Sequence, residues 1–227
     1  MRIRKKAWAR PELDECRYFI AEPQNAKGTW MSHFGESRPI HLDLGCGKCV
    51  FLADAAHQNR DVNFIGIDIS LDILGVGRRK IAEVYGEEPV DNILLCSYNI
   101  EKLTDLFGEA EGILRIYINF CNPWPCARAH KRRLTHTRQL ESYKRLLSPG
   151  GEIWFKTDND DLYLATLRYF REAGYEVFFD TKDLHAEQGA WNVLTEHEMM
   201  FTGQGIKTKA VRARLPAAAG QSGGGGQ

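Results

Sequence analysis

The sequence predicts a doubly wound α/β fold, with a mostly parallel sheet covered by helices on both faces. Three observations carry that expectation. Short apolar runs at 40–44, 63–68, 92–96, 113–120 and 152–157 alternate with helical patterns, as repeated strand–helix–strand units do. The first run ends in a glycine turn, Gly45-Cys46-Gly47, that opens directly into a helix. Breakers fall between the patterns, as at Ser148-Pro149-Gly150-Gly151 and Gly174.

Each element follows in chain order. Residues 1–38 are polar and interrupted by Pro11, Pro23 and Gly28, and read as an irregular basic arm. The domain then spans 39–215. Its first strand, 40–44, leads to a helix at 50–58. The second strand, 63–68, is followed by Ser70, whose hydroxyl can cap a helix over 71–85. After the third strand comes a short helix near 101–107. The fourth strand, rich in isoleucine and aromatics, precedes a helix at 135–147. The fifth is followed by a helix at 159–173, a sixth strand at 175–180, and a further extended stretch over 199–214, giving seven strands. The tail, 216–227, is Ala, Gly, Ser and Gln after its proline. It cannot bury a core and is expected to be disordered.

Bulk properties exclude several classes. No run of 18 apolar residues is available to span a membrane, and Met-Arg-Ile-Arg-Lys-Lys lacks the apolar segment of a secretion signal. Six cysteines without a framework spacing fit reduced thiols, so a cytoplasmic protein is expected. Thirty basic and thirty acidic side chains cancel. The distribution is more telling: residues 1–10, 128–138 and 207–214 are basic islands without acids. Brought together they would make a nucleic-acid patch; left apart they are solvated surface.

Two turns carry chemistry. In His41-Leu-Asp-Leu-Gly-Cys-Gly-Lys48, Gly45 and Gly47 let the backbone approach a ligand, and Asp68 at the next strand end can accept both ribose hydroxyls. A dinucleotide fingerprint would want glycine at Val50, and Asp43 would repel a pyrophosphate. The pair points instead to a nucleoside with a cationic centre, S-adenosylmethionine. Cys46 and Cys49 lack a second pair at metal-site spacing and read as buried thiols, and no metal site is expected. The second turn, Asn122-Pro123-Trp124-Pro125, sits at a strand end where it should face the donor, with Trp124 as a stacking surface. A basic run follows it at once.

Together these blocks resemble the bacterial tRNA (guanine-N7-)-methyltransferase family over about residues 1–214. The resemblance rests on Arg4-Lys5-Lys6-Ala7-Trp8-Ala9, the glycine turn, Gly66-Ile-Asp68, Asn119-Phe-Cys-Asn-Pro-Trp-Pro125 with His130-Lys-Arg-Arg-Leu134, Phe155-Lys-Thr-Asp-Asn159 and Asn192-Val-Leu-Thr-Glu-His-Glu198. It implies a sheet of the class I methyltransferase type and methylation of guanine N7 in tRNA, in the variable loop. By it, Asp43, Gly45, Gly47, Asp68, Asn99 and Asn122 would hold the donor, with Asn122 in the catalytic position. Cys126, Asp158, Thr195, Glu196, His197 and Glu198 would meet the target guanosine. Arg128, His130, Lys131, Arg132 and Arg133 would touch RNA. A monomer and a homodimer both remain open.

Two positions depart from the family pattern Asp-Pro-Trp-Pro-Lys: Asn122 replaces the acid and Cys126 the lysine. Guanine N7 carries a free lone pair, so no base is needed to deprotonate it, and alignment of the reacting atoms is the main task. Asn122 can orient a partner by hydrogen bonds but cannot balance developing positive charge. Two other readings stay open at this level. One is an amino-group methyltransferase acting on a nucleic-acid base, since those enzymes carry an Asn-Pro-Pro-aromatic turn at the same place. The other is a non-catalytic RNA-binding relative.

Overall fold

The computed structural model describes residues 5–216; the basic side chains of Arg2 and Arg4 and the Gly-rich tail lie outside the described residues. In chain order the elements are α1 (Ala9–Asp14), β1 (Phe19–Ile20), β2 (Ile40–Leu44), α2 (Val50–Gln58), β3 (Asn63–Asp68), α3 (Leu71–Tyr85), β4 (Ile93–Ser97), β5 (Ile113–Asn119), α4 (Thr137–Lys144), β6 (Leu147–Thr157), α5 (Asp160–Glu172), β7 (Glu176–Thr181), α6 (Glu196–Thr202) and β8 (Lys209–Arg214). One sheet has the order β1-β4-β3-β2-β5-β6-β8-β7. It is parallel from β1 to β6, and β8 lies antiparallel between β6 and β7.

The alternation of β2 explains the layering. Ile40, Leu42 and Leu44 face a cluster that includes Ile65, Ile116, Phe155 and Phe170. Phe64, Leu95 and Tyr117 face the other way, onto Phe51, Leu52 and Leu74 of α2 and α3. All five residues of β2 are buried, as a central parallel strand requires. Ser70 caps α3 through its side chain, as expected, and Asn159 does the same for α5.

Three expectations are corrected. The sheet has eight strands, because the arm supplies β1, pairing Phe19 with Leu95 and Ile20 with Cys96. The arm is correspondingly ordered over its described part. Its prolines misled because Pro11 falls in the first turn of α1, where a missing N–H costs nothing. Helix α1 then packs on α3 so closely that a Cβ at Gly75 would lie 2.5 Å from Ala9 Cβ. Finally, residues 196–202 are helical, and only 209–214 of the expected extended stretch is strand. Thr195 and Glu198 form a capping box, a signal present in Thr-Glu-His-Glu.

Candidate active site

The strand order reverses between β2 and β5, and in doubly wound sheets ligands bind outside the carboxyl ends there. Two turns leave the sheet at this point. After β2, the amides of Gly45 and Cys46 both donate to Ile67 O, at 2.8 and 3.1 Å, stapling the turn to β3. Gly45 and Gly47 have φ of +78° and +56°, so the loop needs glycine at both positions. After β5, Phe120 (φ 50°) and Trp124 (φ 44°) occupy the left-handed region, which costs a bulky residue about 1–3 kcal/mol each.

The cleft between the turns has two connected parts, sharing Gly45, Asn119 and Phe120. The larger, about 300 Å³, is lined by Asp68, Ile69, Asn99, Ile100, Asn122 and Trp124, among others. The smaller, about 120 Å³, takes in Asp43, Gly47, Phe51, Thr195, Glu196 and His197. Another cavity of about 440 Å³, between the arm and α3 near Tyr18 and Tyr85, lies away from the strand ends and holds no comparable set of groups.

Asp43 is 2% exposed, and its Oδ1 receives only a long contact, 3.5 Å, from Asn119 Nδ2. Burial pushes its carboxyl up to about 7; nearby Asp68 adds to the rise, while Asn119 and Lys156 oppose it. Asn119 Oδ1 is buried without a partner. Two acceptors thus face the cleft in need of donors, which fits the ammonium of S-adenosylmethionine and not a phosphate. Asp68 is held by two amides, from Gly47 to Oδ2 at 3.2 Å and from Ser70 to Oδ1 at 2.9 Å. Burial raises its pKa against those amides. Asn99 accepts from Glu101 N at 3.0 Å, which fixes its side chain at the cleft wall.

The base-facing turn is built by side chains. Asn122 Oδ1 accepts from Trp124 N at 3.0 Å. Arg132 stacks on the Trp124 ring at 3.9 Å and reaches Glu101 at 3.5 Å. Across the cleft, His197 stacks almost parallel on Phe120, with centroids 5.3 Å apart, and Glu196 pairs with Lys48 at 2.5 Å. Cys46 and Cys49 are buried thiols, as expected.

Several expected site residues sit elsewhere. Glu198 is fully buried: it accepts from Lys156 Nζ at 3.0 Å, Thr195 N at 2.9 Å and Asn192 Nδ2 at 3.0 Å. It therefore holds the 192–198 segment in place and presents nothing to a base. Thr195 caps α6 and only borders the cleft. Cys126 is exposed and lines neither part of the cleft, because the turn carries it outward. Asp158 is half-buried and likewise lines neither part; its carbonyl accepts from Lys209 Nζ at 2.8 Å. Arg133 is 3% exposed, donates to Pro123 O, and lines a cavity of about 360 Å³ together with Pro125, His130 and Asp161. Arg128 and Lys131 are exposed, as expected, and His130 sits 3.3 Å from Pro125 O.

The third basic island is largely partnered within the fold. Lys207 pairs with Asp183, Lys209 with Asp160 and Arg214 with Glu176, while Arg212 donates to Trp191 O and stacks on Trp154. Three residues of the site escaped the sequence reading. Asn119 and Phe120 stood in the 119–125 block without a role, and only the fold places them in both parts of the cleft. Lys156, which supports the cleft from below, did leave a signal, a charge directly after the apolar run Ile153-Trp154-Phe155 and still inside the strand. Its Nζ gathers Asn192 Oδ1, Val193 O and Glu198, and burial lowers its pKa while Glu198 opposes.

This fold and this site define an S-adenosylmethionine-dependent methyltransferase. The family model described as "Putative methyltransferase" matches residues 37–211. Among curated relatives, the tRNA (guanine-N(7)-)-methyltransferase of Clostridium beijerinckii is 49% identical over 211 residues, covering 92% of this chain and 96% of its own length. That of Acetivibrio thermocellus is 44% identical over 212 residues, covering 92% and 97%. The chain belongs to the tRNA (guanine-N7-)-methyltransferase family. Solved structures share the fold at low identity. The antibiotic-resistance methyltransferase Kmr has a TM-score of 0.53 at 19% identity over 82% of this chain and 90% of its own. The 16S rRNA methyltransferase KamB has 0.56 at 13% over 78% and 88%.

Proposed function

We propose that this chain transfers the methyl group of S-adenosylmethionine to N7 of a guanine in tRNA, in the variable loop and in the cytoplasm. The observation that carries the reading is the meeting of the acid–glycine turn and the Asn-Pro-Trp-Pro turn in one cleft, through Gly45, Asn119 and Phe120. The relatives' names supply the base and the RNA.

When bound, the donor brings an electrophilic methyl on a sulfonium. The chain's own residues bind and align. Asp43 and the unpartnered Asn119 Oδ1 would receive the donor's ammonium, and Asp68 its ribose hydroxyls. Ile69 and Ile100 wall the adenosyl side of the cleft, and Asn99 offers it hydrogen bonds. The guanine enters beside Asn122 and Trp124, near the exposed Arg128, Lys131 and Arg132, which meet phosphates. Its N7 lone pair attacks without losing a proton, so no general base is required. Holding the two reactants in line supplies the acceleration.

Asn122 also bears on the amino-group alternative. Its Oδ1 already accepts from Trp124 N and keeps a second lone pair for a base, so the product, and not this bond, separates the two readings. The test is to incubate the purified chain with unmodified tRNA and labelled donor, then identify the nucleoside. The expected product is 7-methylguanosine. A methylated amino group, or donor binding without transfer, would overturn the proposal.

A further inference from the structure

We infer that Arg133 is a positioning residue for methyl transfer, clamping the 122–125 turn from within, and not a contact to RNA. The inference rests on the function proposed above and adds to it the part that fixes the base-facing turn. Pro123 and Pro125 have no N–H, so Trp124 supplies the only backbone donor between them, and Asn122 Oδ1 takes it at 3.0 Å. The turn therefore has no backbone ladder to hold its shape. Its carbonyls are held instead by Arg133: Nε donates to Pro123 O at 2.7 Å, and Nη2 reaches Trp124 O at 3.5 Å.

The placement of that side chain favours a clamp. Arg133 is 3% exposed and has no carboxylate partner among the described residues. A buried guanidinium is costly unless its donors are used, and Arg133 uses Nε closely and Nη2 at a longer reach on two successive carbonyls. A planar fork suits that task; an ammonium, a point donor, does not. The residues so held include Trp124 in the left-handed region, a conformation that persists only where its surroundings dictate it. The adjacent Arg132 lies instead over the Trp124 ring, 3.9 Å from its centroid. One arginine thus fixes the backbone of the turn while its neighbour covers the ring.

The test compares Arg133→Lys and Arg133→Ala with Arg128→Ala and Lys131→Ala as surface controls. It reads kcat and KM on unmodified tRNA, donor affinity, the salt dependence of tRNA binding, and the indole NH resonance of Trp124, assigned with Trp124→Phe. For Arg133→Ala, kcat is expected to fall roughly tenfold or more, with donor affinity within about twofold, because alignment is lost and the donor walls are not. The salt slope should stay at the wild-type value, whereas each control should lower it by about one. Arg133→Lys should recover part of kcat, and both Arg133 variants should shift or broaden the Trp124 signal. A slope lowered by about one with kcat preserved would make Arg133 a phosphate contact and overturn the inference. If the alanine variant does not fold, the lysine variant decides: wild-type kcat with an unmoved Trp124 signal overturns the clamp. Absence of 7-methylguanosine from the wild-type chain would refute the proposed function, while the Trp124 signal would still judge the clamp.

Discussion

Asp43→Asn should make the donor-free protein more stable while crippling donor binding. The buried carboxyl titrates at about 7, against 3.8 ordinarily. Its folded pKa is raised, so the folded state binds the proton more tightly than the unfolded one. The cost is absent below the unfolded pKa, grows by about 1.4 kcal/mol per pH unit through the window between 3.8 and 7, and then levels off. At pH 8 it reaches about 4 kcal/mol. Asparagine removes the charge and can donate to Asn119 Oδ1, which lacks a partner. For a domain of this size the gain corresponds to a melting temperature higher by roughly 10 °C at pH 8, shrinking towards pH 4. Thermal melts of both proteins across that pH range, without donor, read the difference. The same substitution should weaken donor affinity roughly tenfold to a hundredfold by calorimetry, since a charge-assisted bond is lost. Parallel melting curves, or a less stable variant at pH 8, would refute the assignment of Asp43 as a strained, ligand-awaiting carboxylate.

Three further substitutions test other parts of the molecule. Lys156→Met leaves Glu198 buried without its cation and should cost about 3–5 kcal/mol in urea unfolding, because an unpaired interior charge is penalised more than the pair is rewarded. Asn122→Asp keeps the acceptor for Trp124 N and adds a charge that balances the cationic product; single-turnover methylation should quicken several-fold, by about 1 kcal/mol of barrier. Gly75→Ala drives a methyl into Ala9 at 2.5 Å and should destabilise by about 1–3 kcal/mol, with earlier proteolysis of the arm as the local readout.

The sheet from β2 to β6 was legible because buried parallel strands are short apolar runs set off by glycine and capping signals. The gathering of Asp43, Gly45, Gly47 and Asp68 at one cleft was legible for the same reason: their places are fixed by where strands end, and strand ends can be read. Short elements were harder. Strand β1 is two residues long and forms only because β4 offers an open edge. Helix α6 did carry its Thr-x-x-Glu signal, and the exposed methionines after it obscured the signal.

The substrate half was harder to read for a more general reason. Charge in a sequence does not say which way it faces. Arg132 and Arg133 are chemically identical neighbours, yet one covers a ring at the surface and the other holds carbonyls in the interior. Glu196 and Glu198 divide in the same way: one pairs across the cleft with Lys48, the other anchors its own segment through Lys156. In each case the inward residue binds the backbone or side chains of the segment that carries the outward one. A motif rich in ionisable groups at a substrate site is therefore better read as two layers, one that meets the ligand and one that holds the first in place. Burial marks the layer, and at 3% and 0% exposed Arg133 and Glu198 have the burial of the holding layer.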